Sequence, residues 1–144
     1  MTKTGWNWFA LQLEDGRELI INEFLDIKTG TTFSPMANLI GVDGILKFTR
    51  NVILKPMKYW RSPLTNVLYP IEWFIKIPDF SMEMKVVPIL KQQEMPVLGP
   101  LHTIWEGACF VSGNEIFQNK QIRQIHGKGF MELVGYANYI SVKA

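Results

Sequence analysis

Two glutamates lie within apolar stretches of the sequence, where a carboxyl group could do acid–base chemistry. Glu106 stands in the run WEGA and Glu132 in the run FMEL. If these side chains point into an apolar interior, burial raises their pKa and either one could act as a general acid. Each could equally point outward while its neighbours fill the core, or accept N–H hydrogen bonds in a buried structural role. The outward and structural interpretations together are more common for a single strand glutamate.

Aromatic residues are the second group with a possible binding role. The chain has five tryptophans and nine phenylalanines, and Trp6 and Trp8 fall on the same face of the first predicted strand. Aromatic side chains dominate protein cores, so they could simply fill the interior. They could also form the walls of a cavity for a large apolar or polyene-like ligand, with a few polar anchors.

The histidines and the cysteine of the sequence indicate no catalytic site. His102 and His126 lie in turn regions flanked by glycine or proline, where surface histidines are more common than metal ligands. Cys109 has apolar neighbours, so we expect a buried thiol, not a reactive one. The sequence has no phosphate-binding glycine loop, zinc-protease motif or nucleophile elbow. We therefore predict neither a metal nor a cofactor.

Composition predicts one soluble globular domain. The chain has 144 residues, of which 47% are hydrophobic and 19% charged, so it can bury a core and is not a disordered linker. Its single cysteine excludes an intrachain disulfide. The net charge of +2 comes from scattered basic residues, which argues against nucleic-acid binding.

The sequence also carries no membrane or export signal of its own. No apolar run approaches the roughly 20 residues that a membrane-spanning helix needs. Residues 1–8 lack the positive segment and apolar core of a signal peptide. If the natural protein is exported, we expect its targeting signal to lie outside this chain.

Turn signals at short intervals predict an all-β chain of about eight strands. A Glu-Asp-Gly turn at residues 14–16 and an Asp-Gly turn at residues 43–44 are typical of hairpins. Residues 28–35 are expected to be a polar loop, and residues 55–70, with three prolines, an irregular crossing. The predicted strands are residues 5–13, 17–27, 37–42, 45–54, 69–77, 80–90, 103–111 and 122–136.

Alternation of apolar and polar residues is clearest in two of these strands. Ile71, Trp73, Ile75 and Ile77 share one face of residues 69–77, and residues 80–90 alternate in the same way. Residues 114–124 are the only candidate helix, with apolar spacing too weak to prefer it to a hairpin loop. Sequential antiparallel strands favour an up-and-down barrel, which has no exposed edges, over a two-sheet sandwich. A barrel of about eight strands either fills with side chains or holds one small ligand.

Five stretches, in chain order, resemble the hydroxyneurosporene synthase (carotenoid 1,2-hydratase) and AttH-like family. They are GWNWFALQLEDGREL (5–19), YPIEW (69–73), QE (93–94), WEG (105–107) and GKGFMELVGY (127–136). The family resembles two consecutive lipocalin-like barrels, and these motifs belong to the C-terminal one. The resemblance therefore implies that residues 1–144 form a single lipocalin-like β-barrel. It also allows a periplasmic or secreted location.

The resemblance implies a barrel that binds a hydrophobic small molecule such as a lipid, polyene or isoprenoid. The family's best-known activity adds water across the terminal double bond of a carotenoid without a redox cofactor. That reaction needs an acid to protonate the alkene and a pocket to stabilise the cation. The predicted catalytic residues are Glu106 and Glu132. The predicted ligand-binding residues are Trp6, Asn7, Trp8, Trp73, Trp105 and Tyr136.

The chain departs from the family pattern in three ways. The first motif usually has Asp where this chain has Asn7, and an amide cannot donate a proton as a carboxylic acid does. The last motif usually has Tyr where this chain has Phe130. The length fits one barrel, about half the family's architecture, so a second barrel would come from another copy, a separate chain or sequence encoded upstream of residue 1.

Three functions fit these observations. The first is a module that binds an apolar small molecule, which the aromatic richness without a catalytic motif favours. The second is a cofactor-free hydratase, lyase or isomerase with Glu106 or Glu132 as the acid. The third is a structural half-domain whose apolar face packs on another barrel.

Overall fold

The computed structural model describes residues 4–96 and 103–137 and consists of one antiparallel β-sheet of ten strands. A single 3-10 turn, Pro78–Phe80, follows the sixth strand. The strands are β1 (Thr4–Leu13), β2 (Glu18–Asp26), β3 (Thr32–Ile40), β4 (Leu46–Thr49), β5 (Ile53–Arg61), β6 (Leu68–Ile77), β7 (Met82–Pro88), β8 (Glu94–Pro96), β9 (Thr103–Ile116) and β10 (Ile122–Val134).

The strand order makes the sheet curl into a barrel. It runs β4-β3-β2-β1-β10-β9-β7-β6-β5, with β8 paired to β9 beyond the end of β7. The two edge strands, β4 and β5, are joined by residues 50–52 alone, and at about 3.8 Å per residue this short link brings the two edges together at one corner. The predicted all-β, up-and-down, lipocalin-like fold is confirmed.

The strand count exceeds the expected eight because β5 and the three-residue β8 were not predicted as strands. The strand expected over residues 45–54 ends at Thr49, and β5 begins at Ile53. The irregular crossing expected over residues 55–70 is wrong for its first half, since β5 runs through Pro56 to Arg61. The missing N–H of a proline is tolerated in β5 because it is an edge strand. The polar loop expected at residues 28–35 is wrong in part, since β3 begins at Thr32.

The last hairpin of the sheet occupies the residues that were the candidate helix. Residues 114–124 contain the turn between β9 and β10, where the Phe117 N–H donates to the Gln121 carbonyl over 2.9 Å. Of the two interpretations left open by the sequence, the hairpin is confirmed.

The barrel interior is filled by one face of each strand. On β6 the predicted inward set is confirmed, and Ile71, Trp73, Ile75 and Ile77 are almost wholly buried. The alternating face of β7 is confirmed in the same way. Large side chains from β1, β2, β9 and β10 complete this core, notably Phe9, Leu11, Leu19, Ile21, Trp105, Met131 and Leu133.

A glutamine side chain bridges a break in the sheet. Between Pro88 and Glu94 the strand that pairs with β9 is interrupted. There the Gln93 Oε1 accepts a hydrogen bond from the Ala108 N–H (2.9 Å), and the Gln93 Nε2 donates to the Ala108 carbonyl (3.1 Å). A Cβ at Gly107 would lie 2.2 Å from the Gln93 carboxamide carbon, so only glycine leaves room for this contact. The QE and WEG motifs therefore meet at this joint.

Candidate functional site

A carboxyl group is buried inside the barrel at an irregular point of the sheet. Glu23 lies on the inward face of β2 and is only 4% exposed. The pairing of β2 with β3 shifts register between Asn22 and Phe24, and Ser34 on the opposite strand has a left-handed φ of 51°. Bulges often re-aim side chains beside functional sites, and a left-handed conformation is costly for a residue other than glycine. Both features make the surroundings of Glu23 a candidate site.

Three inward side chains form a hydrogen-bonded chain at this point. The Asn7 Nδ2 donates to the Glu23 Oε2 over 2.9 Å, and Asn7 is fully buried. The Tyr136 hydroxyl donates to the Asn7 Oδ1 over 2.7 Å. The Thr32 hydroxyl lies near the Glu23 carboxyl and favours its charged form. Residues from β1, β2 and the chain just after β10 are thus joined into one polar group, which we call the inner triad (Asn7, Glu23 and Tyr136).

Burial governs the ionisation of the inner triad. It raises the pKa of Glu23, although the hydrogen bond from Asn7 and the nearby Thr32 hydroxyl favour the charged form and oppose the shift. Burial also raises the pKa of Tyr136 well above the usual range. Tyr136 is therefore neutral at physiological pH, and Glu23 keeps its proton to a higher pH than an ordinary glutamate. A carboxyl group in this state can serve as a proton donor.

Aromatic rings lie beside the inner triad. The ring centroids of Tyr69 and Tyr136 are 6.0 Å apart. Trp60 stacks on the ring of Tyr69, with centroids 6.4 Å apart and planes inclined by 20°. Apolar walls with a few placed polar groups are typical of small-molecule sites.

A second carboxylate holds Tyr69 in place. Glu94 accepts hydrogen bonds from the hydroxyl groups of Ser62 (2.6 Å), Thr65 (2.6 Å) and Tyr69 (2.7 Å). Burial alone would raise the pKa of Glu94, but the hydroxyl donors outweigh it and the pKa lies below the ordinary value. Glu94 therefore stays charged at neutral pH and ties the loop after β5 to β6 and β8.

Two of the predicted ligand-binding tryptophans lie in the core. Trp73 and Trp105 are at most 1% exposed. Their indole N–H groups donate to the carbonyls of Pro70 and Lys91, each over 2.8 Å. Trp73 also packs edge-on against Phe9, with centroids 5.4 Å apart. These contacts fix both indole rings. Of the other predicted ligand-binding residues, Asn7 and Tyr136 belong to the inner triad.

The other predicted residues lie on the outer face of the barrel. Trp6 is 36% exposed and donates its indole N–H to the Glu132 Oε1 over 2.7 Å, and Trp8 lies beside it on the same face of β1. Glu106 and Glu132 are direct cross-strand neighbours on β9 and β10, on the same outer side. Of the orientations considered from the sequence for Glu106 and Glu132, the structure has the outward one. These four side chains do not meet the inner triad.

Glu23 was not among the residues predicted from the sequence. The signal was available, because Leu19, Ile21 and Leu25 occupy alternate positions of β2 and place residue 23 on the same inward face. Its importance depends on Asn7 and Tyr136, which lie 16 and 113 positions away in the chain. Only the strand order brings these residues together.

The residue types that were expected to be inert lie apart from the site. Cys109 is fully buried, and burial raises the pKa of its thiol to about 12, so the predicted buried thiol is confirmed. His126 is exposed on β10, and His102 lies outside the described residues. Within residues 4–96 and 103–137, no three His, Cys, Asp or Glu side chains converge on a possible metal position. The same part of the chain has no helix long and apolar enough to cross a membrane.

Comparison with known proteins identifies relatives of this barrel. The sequence profile of a family described as AttH-like matches residues 1–136. The structure is similar to that of a protein assigned as AttH from Nitrosomonas europaea, with a TM-score of 0.75 and 26% identity, over 92% of this chain and 39% of that one. It is also similar in fold to kievitone hydratase from Nectria haematococca, with a TM-score of 0.73 and 22% identity, over 97% and 41% of the two chains.

The chain thus spans about two fifths of the length of each of these solved proteins. No protein with a curated description matches it in sequence.

Proposed function

Because the chain belongs to the AttH-like family, we propose that its barrel binds an apolar small molecule at the inner triad. The observation that carries this proposal is a buried carboxyl, Glu23, held by Asn7 and Tyr136 beside the rings of Tyr69 and Trp60. The polar groups would bind one oxygen-bearing end of the ligand, and the rings would contact its apolar length. A fatty acid, an oxygenated polyene or an isoprenoid alcohol has both parts.

Tryptophan fluorescence tests this binding. Trp60 is only partly buried and stacks on Tyr69, so a ligand at this position changes its emission. Titration with retinol and with oleate should give saturable quenching, which Trp60→Phe reduces. Glu23→Gln should change the affinity several-fold, whereas the exposed Glu18→Gln on the same strand should not. Absence of saturable quenching by either probe and by other polyenes would contradict the proposal.

Acid-catalysed hydration is the second candidate function, and the buried Glu23 favours it. In this reaction the Glu23 carboxyl gives its proton to one alkene carbon, and the other carbon becomes a carbocation. Water bonds to the cation, and the proton that the resulting oxonium loses returns to the Glu23 carboxylate, so the net change is addition of one water. The faces of Tyr69 and Trp60 would stabilise the cation. The neighbour from Nectria haematococca is named a hydratase.

Isotope incorporation tests the hydration step. Incubation with a terminal isoprenoid alkene in deuterated water should place one deuterium on carbon, and Glu23→Gln should abolish this while Glu18→Gln should not.

Glu106→Gln and Glu132→Gln test the acids predicted from the sequence, whose role stays a prediction. Turnover that persists in both variants removes them from the mechanism. Turnover that depends on them and not on Glu23 would move the chemistry to the outer face.

A further inference from the structure

An apolar stripe crosses the outer face of the sheet, perpendicular to four adjacent strands. Direct cross-strand pairing joins Ala108 to Phe130, Phe130 to Ala10, and Ala10 to Ile20, and the Ile89 N–H donates to the Ala108 carbonyl at one end of the row. Phe130 is 56% and Ile89 45% exposed. The small alanines leave a hollow of about 360 Å³ along this row. We call these five side chains the outer stripe; exposed apolar patches of this kind usually mark interaction surfaces.

The outer stripe is flanked on β10 by charges of opposite sign. On β10, Glu132 and Lys128 lie two positions to either side of Phe130 and share its outward face. Glu106 lies directly across from Glu132, and like charges in this position destabilise a sheet. Within the described part of the chain, neither glutamate forms an ion pair. The acidic side of the stripe therefore lacks a cation of its own.

The stripe and its flanking charges on β10 are complementary to themselves. A twofold axis lying along the stripe turns a second copy over, so that stripe faces stripe and β10 runs antiparallel to β10 of that copy. The rotation exchanges the two flanks, and Glu132 of each copy then faces Lys128 of the other. Twofold interfaces join a surface patch to itself in this manner, and opposite charges fix its register. We propose that the outer stripe is the interface between two copies of this chain.

This interface is independent of the inner triad. The stripe side chains point away from the barrel interior, so ligand binding at Glu23 can fail while two copies still associate. The β5 edge of the sheet is a poorer surface for association because it carries Pro56 with Lys55 and Lys58, residues that hinder strand pairing. The face, with its matched charges, is the favoured surface.

Sedimentation equilibrium over about 1–200 μM tests the interface. Wild type should form dimers, and Lys128→Glu or Glu132→Lys should each raise the dissociation constant at least tenfold because two like-charged contacts replace two ion pairs. The double variant reverses both pairs at unchanged net charge and should restore the dissociation constant to within about threefold. Lys47→Glu on β4 is the matched control, with the dimer retained. Circular dichroism checks that each variant is folded.

Cross-linking tests the position of the axis. A residue on the axis faces its own copy, and packed sheets lie about 10 Å apart, so Ala10→Cys should be joined to itself by a short bismaleimide. Lys47→Cys should not, and the buried Cys109 contributes no background. The proposal is overturned if wild type stays monomeric, as when a further domain covers the stripe. It is also overturned if the double variant is no tighter than the single ones, or if Ala10→Cys dimers fail to cross-link.

Discussion

Asn7 and Glu23 face each other across β1 and β2 inside the barrel, and the Asn7 Nδ2 donates to the Glu23 Oε2 over 2.9 Å. Neither side chain has appreciable contact with water. An aspartate at position 7 would place two carboxyl groups in contact. In this chain the amide leaves Glu23 as the single carboxyl of the inner triad.

Asn7→Asp tests this arrangement directly. Two carboxyl groups in contact cannot both ionise at low cost, so we expect a loss of roughly 2–3 kcal/mol in the free energy of unfolding at pH 8. The loss should be much smaller at pH 4, where both groups can hold protons. Urea unfolding at the two pH values measures it. Asn22→Asp, on the outer side of β2, is the matched control, and an equal loss in both variants would contradict the expectation.

Glu23→Gln should change how stability depends on pH. Because the folded state raises the pKa of Glu23, its protonated form is favoured, and wild type loses stability as the pH rises from the ordinary glutamate value of 4.5 through the folded value. The glutamine variant has no such loss, so its free energy of unfolding relative to wild type should increase from pH 4 to pH 8. Urea midpoints at intervals of half a pH unit measure this. Glu18→Gln is the control, and a difference that is constant with pH would refute the assignment.

Gln93→Leu should open the joint between β7 and β8. The Ala108 N–H loses its partner, while the Ala108 carbonyl keeps its bond from the Ile89 N–H, and an unpaired polar group costs about 1–3 kcal/mol. Amide hydrogen exchange at Ala108 should accelerate in parallel with the loss of stability. Gln92→Leu, at an exposed neighbouring position, should leave both measurements unchanged. Unaltered exchange at Ala108 in Gln93→Leu would show that the side chain does not complete the sheet.

Tyr136→Phe should cost about 1–2 kcal/mol, since it removes the hydroxyl that donates to the buried Asn7 carbonyl oxygen. Tyr59→Phe is the matched control because Tyr59 is 57% exposed. Thermal unfolding followed by circular dichroism compares the two variants. A similar change in both would mean that the hydroxyl at position 136 has no stabilising bond.

Most of the fold could be predicted because core strands bury one face. The alternation over residues 69–77 and the Asp-Gly turns at residues 15–16 and 43–44 reflect that burial and the geometry of hairpins. Strand β5 was not predicted, because most of its side chains are exposed on both faces and hydropathy then carries no alternation. The three prolines of residues 55–70 suggested a loop, although β5 contains only Pro56 and an edge strand tolerates it.

The candidate site was predicted less completely than the fold. Period-two alternation says that Trp105 and Glu106 lie on opposite faces, but apolar residues on both faces leave open which one is inside. Asn7 and Tyr136 were named from motifs, and they are inside. The role of Glu23 arises from cross-strand neighbours far apart in the chain, and a strand read by itself contains no such information.

At the Gln93 joint, the pairing of two strands depends on the side chains at two positions, 93 and 107. Hydrogen bonds between strands normally survive any substitution except proline, because every other residue brings the same N–H and carbonyl. At this joint the pair belongs to a side chain, and Gly107 must stay small for the carboxamide to fit. Selection can therefore act on strand pairing here through the side chains at positions 93 and 107.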